Sequence, residues 1–300
     1  MNRPQFFAIL EVTFAVTVWG ASFVATKVAV REVSPVTVVW LRFTIGVVIL
    51  GLATILRGQF ALPDRHEVGY FVLLGFLGIT FHQWLQSTGL VTTQATTTAW
   101  IVATIPIFMV LLGWLVLSEK LGWRQSVGIA VAVLGVLVVI SRGDLASLAR
   151  GHFGTRGDLL VMLSAPNWAV FSILSRRGLQ RNPATRMMFF VMFFGWLFTS
   201  ALFFTRSGLG QLQKLTTDGW LSVGFLGVFC SGLAYIFWYD GLKALSAARA
   251  GAFLYLEPFV TVIVAALILR EPLLGVSLVG GAAILLGVWI VNQSDFPKTN

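Results

Sequence analysis

The sequence predicts an all-α integral membrane protein, with ten transmembrane helices arranged as two inverted five-helix repeats. Three observations lead there. Hydrophobic residues fill 57% of the 300 positions and charged residues only 11%, well below the roughly 25% charge of a soluble domain. Apolar runs long enough to cross about 30 Å of hydrocarbon as helices recur along the whole chain. The stretch 89–135 also occurs a second time, at 241–287.

The duplication has a clear skeleton. Gly89-Leu90, Pro106, Glu119, Leu121, Gly128 and Gly135 return as Gly241-Leu242, Pro258, Glu271, Leu273, Gly280 and Gly287, at a constant offset of 152. Aligned without a gap, 14 of the 47 positions are identical, where random pairing would give roughly four or five.

The first apolar run, 6–30, is too long for a signal peptide's core and lacks a small-residue cleavage pattern, so it reads as a retained span. Further spans are predicted near 35–56, 68–88, 92–115, 124–141, 156–176, 186–204, 218–239, 247–268 and 273–291. Helices are required because backbone facing lipid must satisfy its own hydrogen bonds, and a barrel would need alternating ten-residue segments. The longest polar connection, 141–156, marks the seam between a first module at 1–148 and a second at 149–292, with a polar tail at 293–300. With the amino terminus inside, inner segments hold 12 Lys and Arg and outer segments 7. That split favours both termini inside, on the cytoplasmic face. Each copy of the repeat falls in a unit of five spans. An odd number turns the second unit upside down, and inverted repeats place a binding site near the midplane between halves.

Composition also excludes functions. A net charge of +9 would suggest nucleic acid for a soluble protein, but here the basic residues lie in short gaps between apolar runs, where they set orientation. Cys230 is the only cysteine, and His66, His82 and His152 are far apart, so no metal site is expected. No paired catalytic carboxylates and no nucleophile with a nearby base appear, which argues against an enzyme. No cofactor is expected.

Trp19-Gly20-x-x-Phe23-x-x-x-Lys27, Pro35 and Arg42-Phe43 resemble the start of an EamA-type module of the drug/metabolite transporter superfamily. So do Pro106 with Glu119-Lys120-Leu121, and Leu256-Glu257-Pro258 with Arg270-Glu271-Pro272-Leu273. Within that superfamily the chain most resembles bacterial amino-acid exporters of the YddG kind, which implies a plasma (inner) membrane location. The resemblance implies two inverted five-helix modules around a central cavity lined mainly by helices one, three, four, six, eight and nine. The second half departs from the opening pattern: at an offset of 149, Trp168 and Arg176 stand for Trp19 and Lys27, but Ala169 replaces Gly20 and Val191 replaces Arg42.

Several residues are candidates for function. Pro106 and Pro258 fall mid-span, where a missing donor bends the helix, so each is either a hinge or a static bend. Glu257, beside Pro258, is an intramembrane carboxylate whose counterpart is Ile105. It reads as a coupling or substrate-amine site, or as a structural acid bonded to backbone. Glu119 and Glu271 read as interfacial, and Glu11 lies near the inner end of span one. Arg42 reads either as a carboxylate contact at the outer mouth or as a snorkelling headgroup anchor, with the anchor preferred. Helical spacing groups Thr93, Thr97, Trp100 and Thr104; His82 and Gln86; Ser231, Tyr235 and Trp238; Ser164, Trp168 and Ser175; and Trp19, Ser22 and Thr26. Such hydroxyls can also be packing glue. The expected substrate contacts are His82, Gln86, Trp100, Trp168, Tyr235, Trp19 and Ser164.

These aromatic, hydroxyl and amide faces carry almost no fixed charge. Phosphorylated substrates would need several cations. The expectation is therefore a secondary transporter that exports amino acids or similar neutral or zwitterionic metabolites by alternating access. Proton-coupled efflux of lipophilic cations is the alternative, and a sugar-nucleotide carrier is less favoured. The expected partners are a small-molecule substrate and the lipid bilayer, with a proton as a further candidate and no nucleic acid, in a monomer or homodimer.

Overall fold

A computed structural model describes residues 3–117, 121–144, 146, 150, 153–245 and 247–293. Glu119, Lys120, His152 and residues 294–300 lie outside the described residues, so the readings of Glu119 and of most of the tail stay as expectations. Ten helices are long and apolar enough to cross a membrane: α1 Gln5–Ala29, α2 Pro35–Leu56, α3 Arg65–Thr92, α4 Ala95–Val116, α5 Trp123–Ser141, α6 Arg156–Arg181, α7 Ala184–Thr205, α8 Thr217–Ala244, α9 Arg249–Leu269 and α10 Gly275–Gln293. No strand occurs among the described residues.

Most boundaries fall within a few residues of the expected ones, with α3, α6 and α8 longer. Polar turns are recruited into the helix ends by capping. Asp64 accepts from the backbone N–H of His66 and Glu67, while Glu67 reaches back to the Asp64 N–H, so α3 begins at Arg65. Thr155 and Asp158 exchange the same pair of bonds at the start of α6. At the other end of the chain α10 runs through Gln293, and the Asn292 amide donates to the Tyr255 hydroxyl at 2.7 Å.

The inverted symmetry is legible in glycine contacts. Gly128 of α5 faces Gly287 of α10, and Gly135 faces Gly280. Since 128 corresponds to 280 and 135 to 287, one contact is the image of the other, and α5 and α10 run antiparallel. A Cβ on Gly128 would stand 2.6 Å from the Gly287 carbonyl oxygen, and one on Gly135 2.6 Å from that of Gly280. With no hydrophobic drive between helices in lipid, small residues allow the close backbone approach that holds them together. The same two-fold relates Gly89 of α3 against Gly157 and Val161 of α6 to Gly241 of α8 against Ala8 and Val12 of α1.

Helices α3 and α8 each contain a π-helical stretch at related places, Phe76–Phe81 and Leu226–Leu233. A π turn loosens the i to i−4 ladder and leaves carbonyls available. In α3 the Leu77 carbonyl accepts from the Asn167 amide of α6 at 2.8 Å. Helices α4 and α9 break at equivalent positions. In α4 the break lies at Ala103–Thr104, ahead of Pro106; in α9 a 3-10 turn, Leu254–Leu256, precedes Glu257-Pro258.

Charged groups collect at the two ends of the bundle. At the end carrying the amino terminus, Arg57 pairs with Asp240 at 2.6 Å and Arg186 with Glu67 at 2.9 Å. At the opposite end Glu271 accepts from the backbone N–H of Ala95 and Thr96, a carboxylate on the first turn of α4. There, too, Asp158 accepts from the Thr93 hydroxyl and Glu32 from the Thr216 N–H and hydroxyl. Lys27 donates to the carbonyls of Leu90 and Thr93 at 2.7 and 2.6 Å.

Candidate functional site

Helices α1, α3, α6 and α8 carry an aromatic and neutral-polar cluster where the two halves meet. Two aromatic pairs form it. The Trp19 and Tyr235 rings meet edge to face with centroids 5.7 Å apart, and Trp238 lies 5.4 Å from Trp19. The His82 and Trp168 rings are 4.5 Å apart, and Phe171 lies 4.8 Å beyond Trp168. Trp19 and Trp168 are counterparts in the repeat, so each half contributes one indole and meets a different partner.

The polar atoms divide into those held by the protein and those left open. The Trp19 indole N–H donates to the Cys230 carbonyl at 3.1 Å, and the Ser164 hydroxyl to the Val161 carbonyl at 2.6 Å. By contrast, the Gln86 amide, the Tyr235 and Tyr239 hydroxyls and the Trp168 indole nitrogen make no hydrogen bond among the described residues. The His82 Nδ1 is buried without a partner. Unsatisfied polar atoms grouped on an aromatic wall suit a ligand with both apolar and hydrogen-bonding parts.

Glu257 is half-buried, and its carboxylate has neither a hydrogen-bond nor an ion-pair partner among the described residues. Its backbone is held instead. The Glu257 carbonyl accepts from Thr261, whose hydroxyl also reaches the Gly20 carbonyl at 2.8 Å, and a Cβ on Gly20 would stand 2.8 Å from the Glu257 oxygen. Gly20 therefore lets α1 approach the broken part of α9 beside Trp19.

The structure brings His82, Gln86, Trp168, Tyr235 and Trp19 onto the facing parts of the central helices, with Ser164 fully buried one turn from Trp168. It does not bring Trp100 there. That indole is 1% exposed and packs against Gly281 of α10 and Phe259 of α9, within a core containing Ala132, Val139, Ile284 and Val288. Two more hydroxyls of its stripe are engaged within the protein: Thr93 binds Asp158, and Thr104 donates to its own helix at Ile101. Glu11 is half-buried near the Arg57–Asp240–Lys243 cluster, away from the aromatic pairs.

Arg42 is a correction. It does not snorkel: the side chain is 5% exposed, donates from Nε to the Ser231 hydroxyl at 3.0 Å and from Nη1 to Gln83 Oε1 at 3.0 Å. Sequence reasoning missed Gln83 altogether. The departure from symmetry that singled out Arg42 against Val191 also holds for Gln83 against Tyr235, and it was the signal that could have found Gln83.

No group of three or more His, Cys, Asp or Glu side chains able to hold a metal occurs among the described residues. A separate cleft of about 410 Å³, lined by Tyr255, Leu285, Leu286 and Trp289, holds no charged group.

The family model that matches the chain is the EamA-like transporter family, over residues 6–141 and 155–293. The protein belongs to that family. It is a multi-pass membrane protein and a transporter, with two five-helix EamA units. A transporter of Archaeoglobus fulgidus is 30% identical over 288 residues, covering 94% of this chain and 97% of that one. A protein named a probable amino-acid metabolite efflux pump, from Salmonella typhimurium, is 28% identical, with 97% and 95% covered. A probable terminal-alkyne amino-acid exporter of Streptantibioticus cattleyicolor is 27% identical, with 95% and 93% covered. A solved structure superposes with a TM-score of 0.65 at 21% identity, covering 98% of both chains, which shows the shared fold.

Proposed function

We propose that this EamA transporter exports amino acids or similar small neutral or zwitterionic metabolites across the plasma membrane by alternating access. The observation that carries the reading is the wall formed by Trp19–Tyr235 and His82–Trp168, with the open polar atoms of Gln86, Tyr235 and Trp168 and, among the described residues, no cluster of cations beside it. Aromatic faces accept apolar side chains and an ammonium group alike. A phosphate would need several Lys or Arg, yet Lys27 is occupied by backbone carbonyls. The two relatives named for amino-acid export support the same substrate class.

In this reading the modules 1–148 and 149–292 rock against each other, with both termini cytoplasmic. The breaks in α4 and α9 ahead of Pro106 and Pro258 serve as hinges, and Glu257 is the coupling group. Glu257 also supports a second reading, proton-coupled efflux of lipophilic cations, because an unpaired carboxylate within the bundle would attract them. Reconstituted protein offered labelled leucine, phenylalanine, a quaternary ammonium ion and a sugar nucleotide separates these possibilities. The amino acids should be moved and the sugar nucleotide should not. Movement of the quaternary cation alone would replace the reading with the second one.

A further inference from the structure

The aromatic wall and Glu257 leave the guanidinium of Arg42 without a role. It lies seven residues into α2, about 10 Å along the helix at 1.5 Å per residue, so it sits within the bundle. Both of its side-chain acceptors are neutral, Ser231 of α8 and Gln83 of α3. Phe43 lies 5.1 Å from the guanidinium carbon. Its second terminal nitrogen donates to no group among the described residues.

The other buried arginine among the described residues shows what a structural solution looks like. Arg186 on α7, the repeat counterpart of α2, is also buried but is neutralised by Glu67 and bonds the Ala61 carbonyl. No carboxylate does this for Arg42 among the described residues. A buried cation without a counter-charge is strongly disfavoured, and such residues within membranes mark substrate pathways. Its position in the second half is held by Val191, so the shared frame does not require it.

The two acceptors place Arg42 between the aromatic pairs. Ser231 precedes Tyr235 by one turn of α8, and Tyr235 meets Trp19. Gln83 adjoins His82, which meets Trp168. We propose that Arg42 is the receptor for the carboxylate of the transported molecule. A planar fork with an uncommitted nitrogen matches a carboxylate edge, and a single cation suits a monoanion rather than a phosphate. Gln83 and Ser231 hold the fork, one from each half, so the bound anion would sense their relative position. That the carboxylate belongs to an amino acid rests on the transport reading above; that Arg42 binds a carboxylate does not.

The test uses butyrate and butyramide, which differ in charge but scarcely in shape. Purified full-length protein in detergent is titrated with each at constant ionic strength, following tryptophan fluorescence and the thermal midpoint. The wild type should prefer butyrate over butyramide by about tenfold or more, the range expected of a hydrogen bond to a charged group. Arg42→Gln should erase that preference. Arg42→Lys, which keeps the charge and offers a second folded variant, should weaken butyrate binding several-fold while leaving butyramide unchanged. Equal response of the wild type to both compounds, or an unaltered acid preference in Arg42→Lys, overturns the proposal. Counterflow of leucine against leucinamide in liposomes keeps the two readings apart. Leucine transport with an Arg42-independent acid preference removes the receptor and spares the transporter. Arg42-dependent butyrate binding without leucine transport does the reverse.

Discussion

Glu257 and Arg42 bring a carboxyl and a guanidinium group into the bundle, and neither has a charged partner among the described residues. What differs is how each is held. Arg42 is fixed by two side chains at 3.0 Å, whereas the Glu257 side chain is free and only its backbone is pinned, through Thr261 and Gly20. A free carboxylate that can gain and lose a proton suits coupling better than positioning. Glu257→Gln keeps the shape and removes the titration. Leucine counterflow, which needs no driving ion, should persist within about threefold, while accumulation driven by a pH gradient should be lost, a difference on the order of 1–2 kcal/mol in coupling. Accumulation that still follows the pH gradient in this variant would dismiss Glu257 as the coupling group.

At the level of helices, the breaks in α4 and α9 deserve comparison. Both precede a proline, and both sit where the repeat predicts equivalence. Proline at the second position of the restarted helix lacks the N–H that would have bonded one turn back, so the two helix segments are joined by weakened backbone pairing. The residues around the breaks diverge, with Ile105 in α4 and Glu257 in α9, so only one of two like breaks carries an ionisable side chain. Pro258→Ala should allow α9 to run on as a continuous helix. The expected outcome is slower leucine exchange, roughly tenfold, with a half-saturating concentration changed less than about threefold, because binding surfaces are retained while the motion is stiffened. Equal loss of affinity and rate would mark the proline as a shaping bend instead.

For the whole molecule, stability and symmetry come from the same contacts. Helices α5 and α10 approach through Gly128, Gly135, Gly280 and Gly287, and they lie away from the aromatic cluster, tying one half to the other. Overfilling such a contact costs about 1–3 kcal/mol. Gly135→Leu should therefore lower the thermal midpoint in detergent by several degrees. Gly224→Ala, at a helix position with open space around the added Cβ, should leave it unchanged or slightly raised. A Gly135→Leu variant as stable as the wild type would show that the α5–α10 contact does not hold the halves together.

Sequence alone was enough for the ten helices, the repeat and its inversion, because each depends on patterns along the chain: apolar length, a 152-residue offset and an odd number of spans. Helical stripes also grouped His82 with Gln86 and Tyr235 with Trp238. They could not say which face of a helix meets which neighbour. Trp100 looked like a cavity residue by its spacing but fills the space over Gly281, a glycine 181 positions away. Arg42 looked like a headgroup anchor because lysine and arginine near span ends often are. Only the folded bundle brings Ser231 and Gln83, from helices of opposite halves, to its guanidinium. Local periodicity encodes the frame, whereas the charge at its centre depends on contacts between residues 189 and 41 positions apart in the chain.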